Sequence, residues 1–173
     1  QYGYTEINLN LGCPSKTVVT KGRGSGFLAF PEELDRFLDK IFSETETEIS
    51  VKTRIGKEQP EEFEKILEIY NRYPMKELIV HPRVQQDFYK NHPNLEVFAE
   101  VMKNSKNPIC YNGDLFSYAD YKTFTEQFPD VDTVMIGRGL LMDPGLTRQI
   151  KTGEKLRKEE LKAYHDQVYL GYQ

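Results

Sequence analysis

The sequence has only two cysteines, Cys13 and Cys110, and no secretory pattern. This excludes a disulfide scaffold and predicts free thiols in a reducing, cytoplasmic compartment. It has no apolar run near the roughly 18–20 residues that cross a bilayer, so no membrane partner is expected. It has no excess of positive charge: 27 acidic against 23 basic residues leave −4, so a polyanion has to meet a local basic patch. No repeat, no low-complexity segment, no initiating Met and no targeting pattern is visible, and no metal site is expected. No GxGxxG follows the first strand, which counts against a dinucleotide-binding domain. What remains is ordinary globular material: 173 residues, 38% apolar and 29% charged, enough for one domain with a sizeable core.

Glu6-Ile7-Asn8-Leu9-Asn10-Leu11 alternates polar and apolar residues, the period of a strand, and Gly12-Cys13-Pro14 ends it. Cys13 therefore stands at a strand's carboxyl end, with a buried-looking Asn shortly before it. Ser15 to Gly26 is polar, basic and Gly-rich. It reads as a surface loop, or as a mobile active-site loop offering Lys16, Lys21 and Arg23 to phosphates. Pro31 suits a first helical position, and Leu34, Phe37, Leu38 and Ile41 form one apolar stripe behind it. Glu48 to Gly56 is a second strand. Pro60 opens a helix with Phe63, Ile66, Leu67 and Tyr70 inward. Leu78-Ile79-Val80 is a strand ending in His81-Pro82-Arg83, and Val84 to Pro93 reads as a loop. A helix over Leu95 to Met102 precedes the strand Pro108 to Tyr111, which ends in Asn112-Gly113-Asp114. Ser117 and Asp120 form a capping box. Thr133 to Ile136 is a fifth strand, ending in Gly137-Arg138-Gly139, and the basic tail from Leu140 is helical.

This alternation predicts a parallel α/β sheet with helices outside it, either doubly wound or part of a (β/α)8 TIM barrel. In a parallel βα protein all strand ends lie on one face, where TIM barrels hold their active sites. The ends deliver Asn8, Asn10 and Cys13, then Lys52 and Arg54, His81 and Arg83, Asn112 and Gly113, and Gly137 and Arg138. The glycines of the last two ends, with Arg138, read as a phosphate site. Lys52 inside a central strand needs an anionic or electron-rich partner: a reduced flavin, a substrate carboxylate, or a salt bridge to a neighbouring strand. His81 gains weight as a ligand contact beside Arg83, whereas Cys110 reads as packing.

Five stretches, INLNLGCPSK, VKTRIG, the HPR turn with its Gln-rich continuation, YNGD and VMIGRG, resemble the tRNA-dihydrouridine synthases in their order along the chain. These are flavin-dependent TIM-barrel enzymes that reduce uridines in tRNA. One departure is Pro82, where the family commonly has Gly. The resemblance implies FMN as cofactor, NADPH as reductant and tRNA as partner. It implies that Cys13 is the general acid that protonates the uracil ring and that Asn8 hydrogen-bonds the uracil. Lys52 and His81 would contact the flavin ring, and Asn112, Gly113, Asp114, Gly137 and Arg138 would hold the FMN phosphate. Arg54 and Arg83 would help hold substrate or cofactor, and Lys16 the RNA backbone. The chemistry agrees: reducing a uracil C5–C6 bond needs a hydride at one carbon and a proton at the other. A thiol of ordinary pKa, about 8.5, stays mostly protonated at neutral pH. The target base has to be extruded from folded tRNA.

Only five strands are readable where a barrel has eight. The resemblance therefore implies a partial barrel over 1–140, strands four to eight, and the start of a helical tRNA-binding region over 141–173. Open sheet edges predict a homodimer that buries them or a non-barrel rearrangement, and weak or absent FMN binding by this stretch alone. Two other readings stand beside this one: another FMN-dependent TIM-barrel oxidoreductase, of the dihydroorotate dehydrogenase kind, or a non-catalytic RNA-binding or assembly module.

Overall fold

A computed structural model describes residues 3–172. The chain forms two compact units, residues 1–113 with 131–135, and residues 114–130 with 136–173.

The first unit is built on five parallel strands in the order β1-β2-β3-β4-β5, the sequential arrangement of consecutive βα units. They are β1 (Glu6–Leu11), β2 (Glu48–Arg54), β3 (Leu78–His81), β4 (Ile109–Tyr111) and β5 (Thr133–Val134). Between them lie α1 (Lys16–Val19), α2 (Pro31–Glu44), α3 (Glu62–Tyr70) and α4 (Leu95–Asn104), with a 3-10 segment at Gly24–Ala29 and another at Gln85–Asp87. The expected parallel α/β sheet is present; β5 is shorter than the four-residue strand read from the sequence.

The register sorts the side chains onto two faces. Val51 and Thr53 of β2, on the same face as Ile49, align with Leu78 and Val80 of β3 and through them with Ile109 and Tyr111 of β4. Most of this face is buried under the helices. Tyr70 of α3 donates to Thr53 Oγ1 at 3.0 Å, and the Phe98 ring of α4 meets Tyr111 edge-on at 4.9 Å. The apolar stripe of α2 turns Leu34 and Leu38 fully inward, whereas Phe37 stays at the margin against Phe27. The second face carries Glu6, Asn8 and Asn10 of β1, Ser50, Lys52 and Arg54 of β2, Ile79 and His81 of β3, and Cys110 of β4. It is the polar face, and its upper end is where the strand tips gather.

β1 departs from expectation. Its alternation is real, but Ile7 and Asn8 are both exposed, so the Asn near Cys13 is not a buried one. The reason is its place: β1 pairs only with β2, and an edge strand has one flank uncovered.

The second unit holds α5 (Tyr118–Gln127), α6 (Arg138–Met142), α7 (Leu146–Thr152) and α8 (Lys158–Gly171). Ser117 and Asp120 cap α5 reciprocally, as their spacing predicts. Arg148 grips Glu160 through both terminal nitrogens at 2.9 Å. No helix among the described residues is long and apolar enough to cross a membrane.

Candidate active site

Cys13 follows β1 directly and is half-buried. Its turn is built by Asn10, whose Oδ1 accepts from the backbone N–H groups of Gly12 and of Cys13, both at 3.1 Å. An Asn two residues before a Gly is a turn signature, and it is the sequence signal for a residue that the site assignments left out.

The Gly-rich segment after Cys13 is not a loose loop. Gly24, Ser25 and Gly26 are buried, and Ser25 bonds the Cys13 carbonyl through its N–H at 3.0 Å and its hydroxyl at 2.9 Å. Gly24 has φ +55°, and a Cβ there would stand 2.6 Å from the Cys13 carbonyl oxygen. The glycine is there to let two backbones meet. Lys16, on the short α1, and Lys21 and Arg23 remain exposed around this wrapped cysteine.

Asn8 donates through Nδ2 to Ser50 Oγ at 2.8 Å, and Ser50 donates onward to Glu6 at 2.5 Å. Because the Ser50 proton goes to the carboxylate, its oxygen accepts from Asn8, and the Asn8 carbonyl is left pointing away from Ser50. Lys52 sits beside Asn10 in the register, on the same face. Burial pulls its ammonium below the usual lysine range, and the Arg54 charge adds to this; Cys110 and Cys13 act in the opposite sense. Among the described residues no ion pair or hydrogen bond neutralises Lys52, so the salt bridge that the sequence left open is not made. Cys110 is a buried core thiol, as expected; burial, with Glu77 beside it, pushes it up to about 12.

His81 is buried, and its Nε2 lies 3.0 Å from Arg83 Nη1. A guanidinium only donates, so this nitrogen accepts and the ring proton belongs on Nδ1. Tyr89 lies beside the ring, with centroids 6.2 Å apart.

Both arginines assigned to substrate or cofactor are 1% exposed. Arg83 donates through Nε to the Asn91 carbonyl at 2.5 Å, and Arg54 gives all three of its nitrogens to backbone carbonyls. The Arg54 fork is committed to main-chain oxygens, whereas Arg83 also meets the His81 ring. Both side chains are buried at the strand ends, against the loops that carry Gly12, Val84, Phe88 and Asn91.

Asn112 donates from Nδ2 to the Met135 carbonyl at 2.8 Å, which fastens the end of β4 to the end of β5. At Gly113 a side chain would run into the ring and hydroxyl of Tyr111. In the second unit, Arg138 opens α6, with Gly137 before it in open space. Its Nη2 donates to Asp114 at 2.7 Å, and its guanidinium lies 4.9 Å from the Phe116 ring centroid. Asp114 thus acts on Arg138, holding its charge in place. No group of three or more metal-ligating side chains occurs among the described residues.

The donor set fits a flavin on the polar face: a half-buried ammonium without an anion and a neighbouring buried imidazole suit a ring that becomes electron-rich on reduction.

Comparison with known proteins gives the same direction. The tRNA-dihydrouridine synthase B of Pasteurella multocida is 28% identical over 153 residues, 88% of this chain and 46% of that protein. A tRNA-dihydrouridine(16) synthase of Aquipseudomonas alcaligenes is 33% identical over 150 residues, covering 86% of this chain and 47% of the relative. A probable tRNA-dihydrouridine synthase of Rickettsia bellii is 30% identical over 172 residues, 96% of this chain and 52% of its own. The chain thus spans about half the length of the curated relatives it matches. Residues 1–171 match the profile of the dihydrouridine synthase (Dus) family, and with a parallel sheet that is part of that family's TIM barrel, the chain belongs to it.

Proposed function

We propose that this chain supplies the catalytic face of an enzyme that reduces uridine to 5,6-dihydrouridine in tRNA, with FMN as cofactor and NADPH as reductant. The observation that carries this reading is the placement of Cys13 and Lys52 at adjacent strands: a half-buried thiol, wrapped by its own loop, sits on the turn that Asn10 builds, and Asn10 lies in register with Lys52, whose ammonium has no ion pair among the described residues.

Bound reduced flavin supplies the hydride for one carbon of the uracil double bond. The residues of this chain do the rest. Cys13 gives its Sγ proton to the other carbon, and the thiolate is reprotonated from water. Asn10 and Ser25 hold the backbone on either side of that thiol, so its position is set before substrate arrives. Asn8, oriented by Ser50 and Glu6, presents its carbonyl as an acceptor, which suits the N3–H of a uracil. Lys52 and His81 would hold the flavin ring, where the Lys52 ammonium suits the negative charge of its reduced form. Asn112 and Gly113 would serve the cofactor phosphate, and Arg138, aimed by Asp114, with Gly137, would suit a phosphate. Lys16, with Lys21 and Arg23, meets the RNA backbone, which allows a protein of net charge −4 to bind a polyanion locally.

The test is dihydrouridine content of tRNA, measured by mass spectrometry, in cells that lack their own enzyme and produce either this protein or Cys13→Ala. Dihydrouridine is expected with the first and not with the second. Equal levels in both would remove Cys13 from the chemistry, and none in either would overturn the reading for this chain.

A further inference from the structure

Arg54 heads the fully buried side chains by volume and stands at the end of β2, between the segments that carry Cys13 and His81. Its Nε donates to the Gly12 carbonyl at 3.1 Å, on the residue bonded to Cys13. Its Nη1 donates to the Val84 carbonyl at 2.8 Å and its Nη2 to the Phe88 carbonyl at 2.6 Å, at the two ends of the short 3-10 segment that follows His81. The Tyr89 ring lies with its centroid 5.5 Å from the guanidinium carbon. All three carbonyl acceptors are main-chain atoms, with the Tyr89 side chain as a further contact, so what the guanidinium fixes is chiefly backbone, in two loops at once.

One of those loops is held in an unfavourable shape. Phe88 has φ 49° and ψ −95°, and it is the one non-glycine residue with positive φ among the described residues. Such a conformation persists only where the surroundings over-determine it, and the Phe88 carbonyl is where Arg54 makes its shortest bond. Arg83 bonds His81 and Asn91, both in its own loop.

We propose that Arg54 is a positioning residue for the reaction, a fork that ties the Gly12–Cys13 turn to the Val84–Phe88 loop and so holds the proton-donating thiol in register with His81. The proposal rests on the functional reading above for what is positioned, and on the three bonds for how. Lysine cannot replace the fork: a single ammonium keeps the charge but does not span three carbonyls set around a plane.

The experiment compares the full chain with Arg54→Lys and Arg83→Lys. Thiols are alkylated with iodoacetamide and mapped by peptide mass, and amide exchange is followed at Cys13 and Phe88. With Arg54→Lys folded and Cys110 as protected as in the unmodified chain, Cys13 is expected to alkylate at least about fivefold faster, because local opening of its turn becomes more populated. The amides of Cys13 and Phe88 are expected to speed up together. Arg83→Lys is expected to speed exchange in the 84–91 loop and leave Cys13 alkylation unchanged. An unchanged Cys13 rate in folded Arg54→Lys overturns the proposal, as does an equal effect from Arg83→Lys. Should Arg54→Lys not fold, native-state exchange of the unmodified chain decides: Cys13 and Phe88 opening in one step supports the fork, and opening in separate steps overturns it. Where dihydrouridine is formed, Arg54→Lys is expected to lower kcat with the KM for tRNA unchanged; a rise in KM alone makes Arg54 a substrate contact and overturns the proposal. If the unmodified chain forms no dihydrouridine, the functional reading fails, while alkylation and exchange still judge the fork.

Discussion

Replacing Lys52 with Met should make the protein more stable. Lys52 is half-buried, burial and the Arg54 charge pull its ammonium below the lysine range, and no anion among the described residues compensates it. Lys52 and Arg54 lie two residues apart on one face of β2, a rise of about 6.6 Å. Two unit charges roughly 7 Å apart repel by about 2.4 kcal/mol at an effective dielectric of 20, and by about half that with water on the open side. Met keeps the length and apolar contacts of the lysine stem and removes this repulsion, so a gain of about 1 kcal/mol is expected. That is a measurable fraction of the roughly 5–15 kcal/mol by which domains are stable.

The assay is urea unfolding of both proteins across pH, with the m-value checked for constancy. A lysine whose folded pKa is depressed lowers stability fully below that folded pKa. In the window between the folded value and the ordinary lysine value the unfolded chain binds more protons, so stability rises with pH, and above the window the penalty is gone. The advantage of Lys52→Met should therefore be largest at neutral pH and fade as pH climbs toward the ordinary lysine range; other titrating groups cancel in the difference. A loss of more than about 1 kcal/mol at neutral pH would refute the reasoning, because breaking a compensated buried charge pair is what destabilises by that much or more.

Gly24→Ala should cost about 2 kcal/mol or more and disturb Cys13, since positive φ is compounded by a clash with the Cys13 carbonyl, whereas Gly22→Ala, with φ +63° and nothing within 4 Å, should cost about 1 kcal/mol; thermal melts of the two give the contrast. Asn10→Ala leaves two backbone N–H groups without their acceptor and should lower stability by about 1–2 kcal/mol and kcat with it, read by urea unfolding and by dihydrouridine formation. Ser117→Ala removes the acceptor for the Asp120 N–H at the start of α5 and should cost about 1 kcal/mol, seen as earlier loss of helical circular dichroism.

Much of the architecture is written in local patterns. Pro31 with Leu34 and Leu38 places a helix, and Ser117 with Asp120 places a cap, because each depends on residues within one turn of one another. The strand tips were legible because Gly and Pro stop strands wherever they fall, as at Gly12 and Pro14. The short β5 was less so, since a strand's length depends on how far its neighbour runs beside it. In the candidate site, Lys52 emerges from the sequence as an unusual cation in a strand, and the structure keeps that character. The resemblance assigns Arg54 and Arg83 to substrate or cofactor and says nothing of their burial. Their burial depends on Gly12, Val84, Phe88 and Asn91, carbonyls that composition does not distinguish from any others. The basic segment after Cys13 read as a loop for a similar reason: its glycines signal flexibility in a sequence, and the same missing side chain also permits close packing, which only the Cys13 carbonyl opposite Gly24 decides.

By itself, the sequence determined that strands and helices alternate, that a cysteine closes the first strand, and that polar residues recur at strand ends. These follow from short-range sterics and hydrophobic periodicity, which act between residues close in the chain. The tertiary structure alone decided which of those polar residues stay exposed and which are consumed in holding loops together. A hydrogen bond from Arg54 to Gly12 joins residues 42 apart in sequence, and no local rule carries information over that distance. Register did the deciding: by setting Asn10 beside Lys52 and Arg54 beside His81, it left the ammonium on the polar face without an anion and turned the guanidinium into the fastening beneath Cys13.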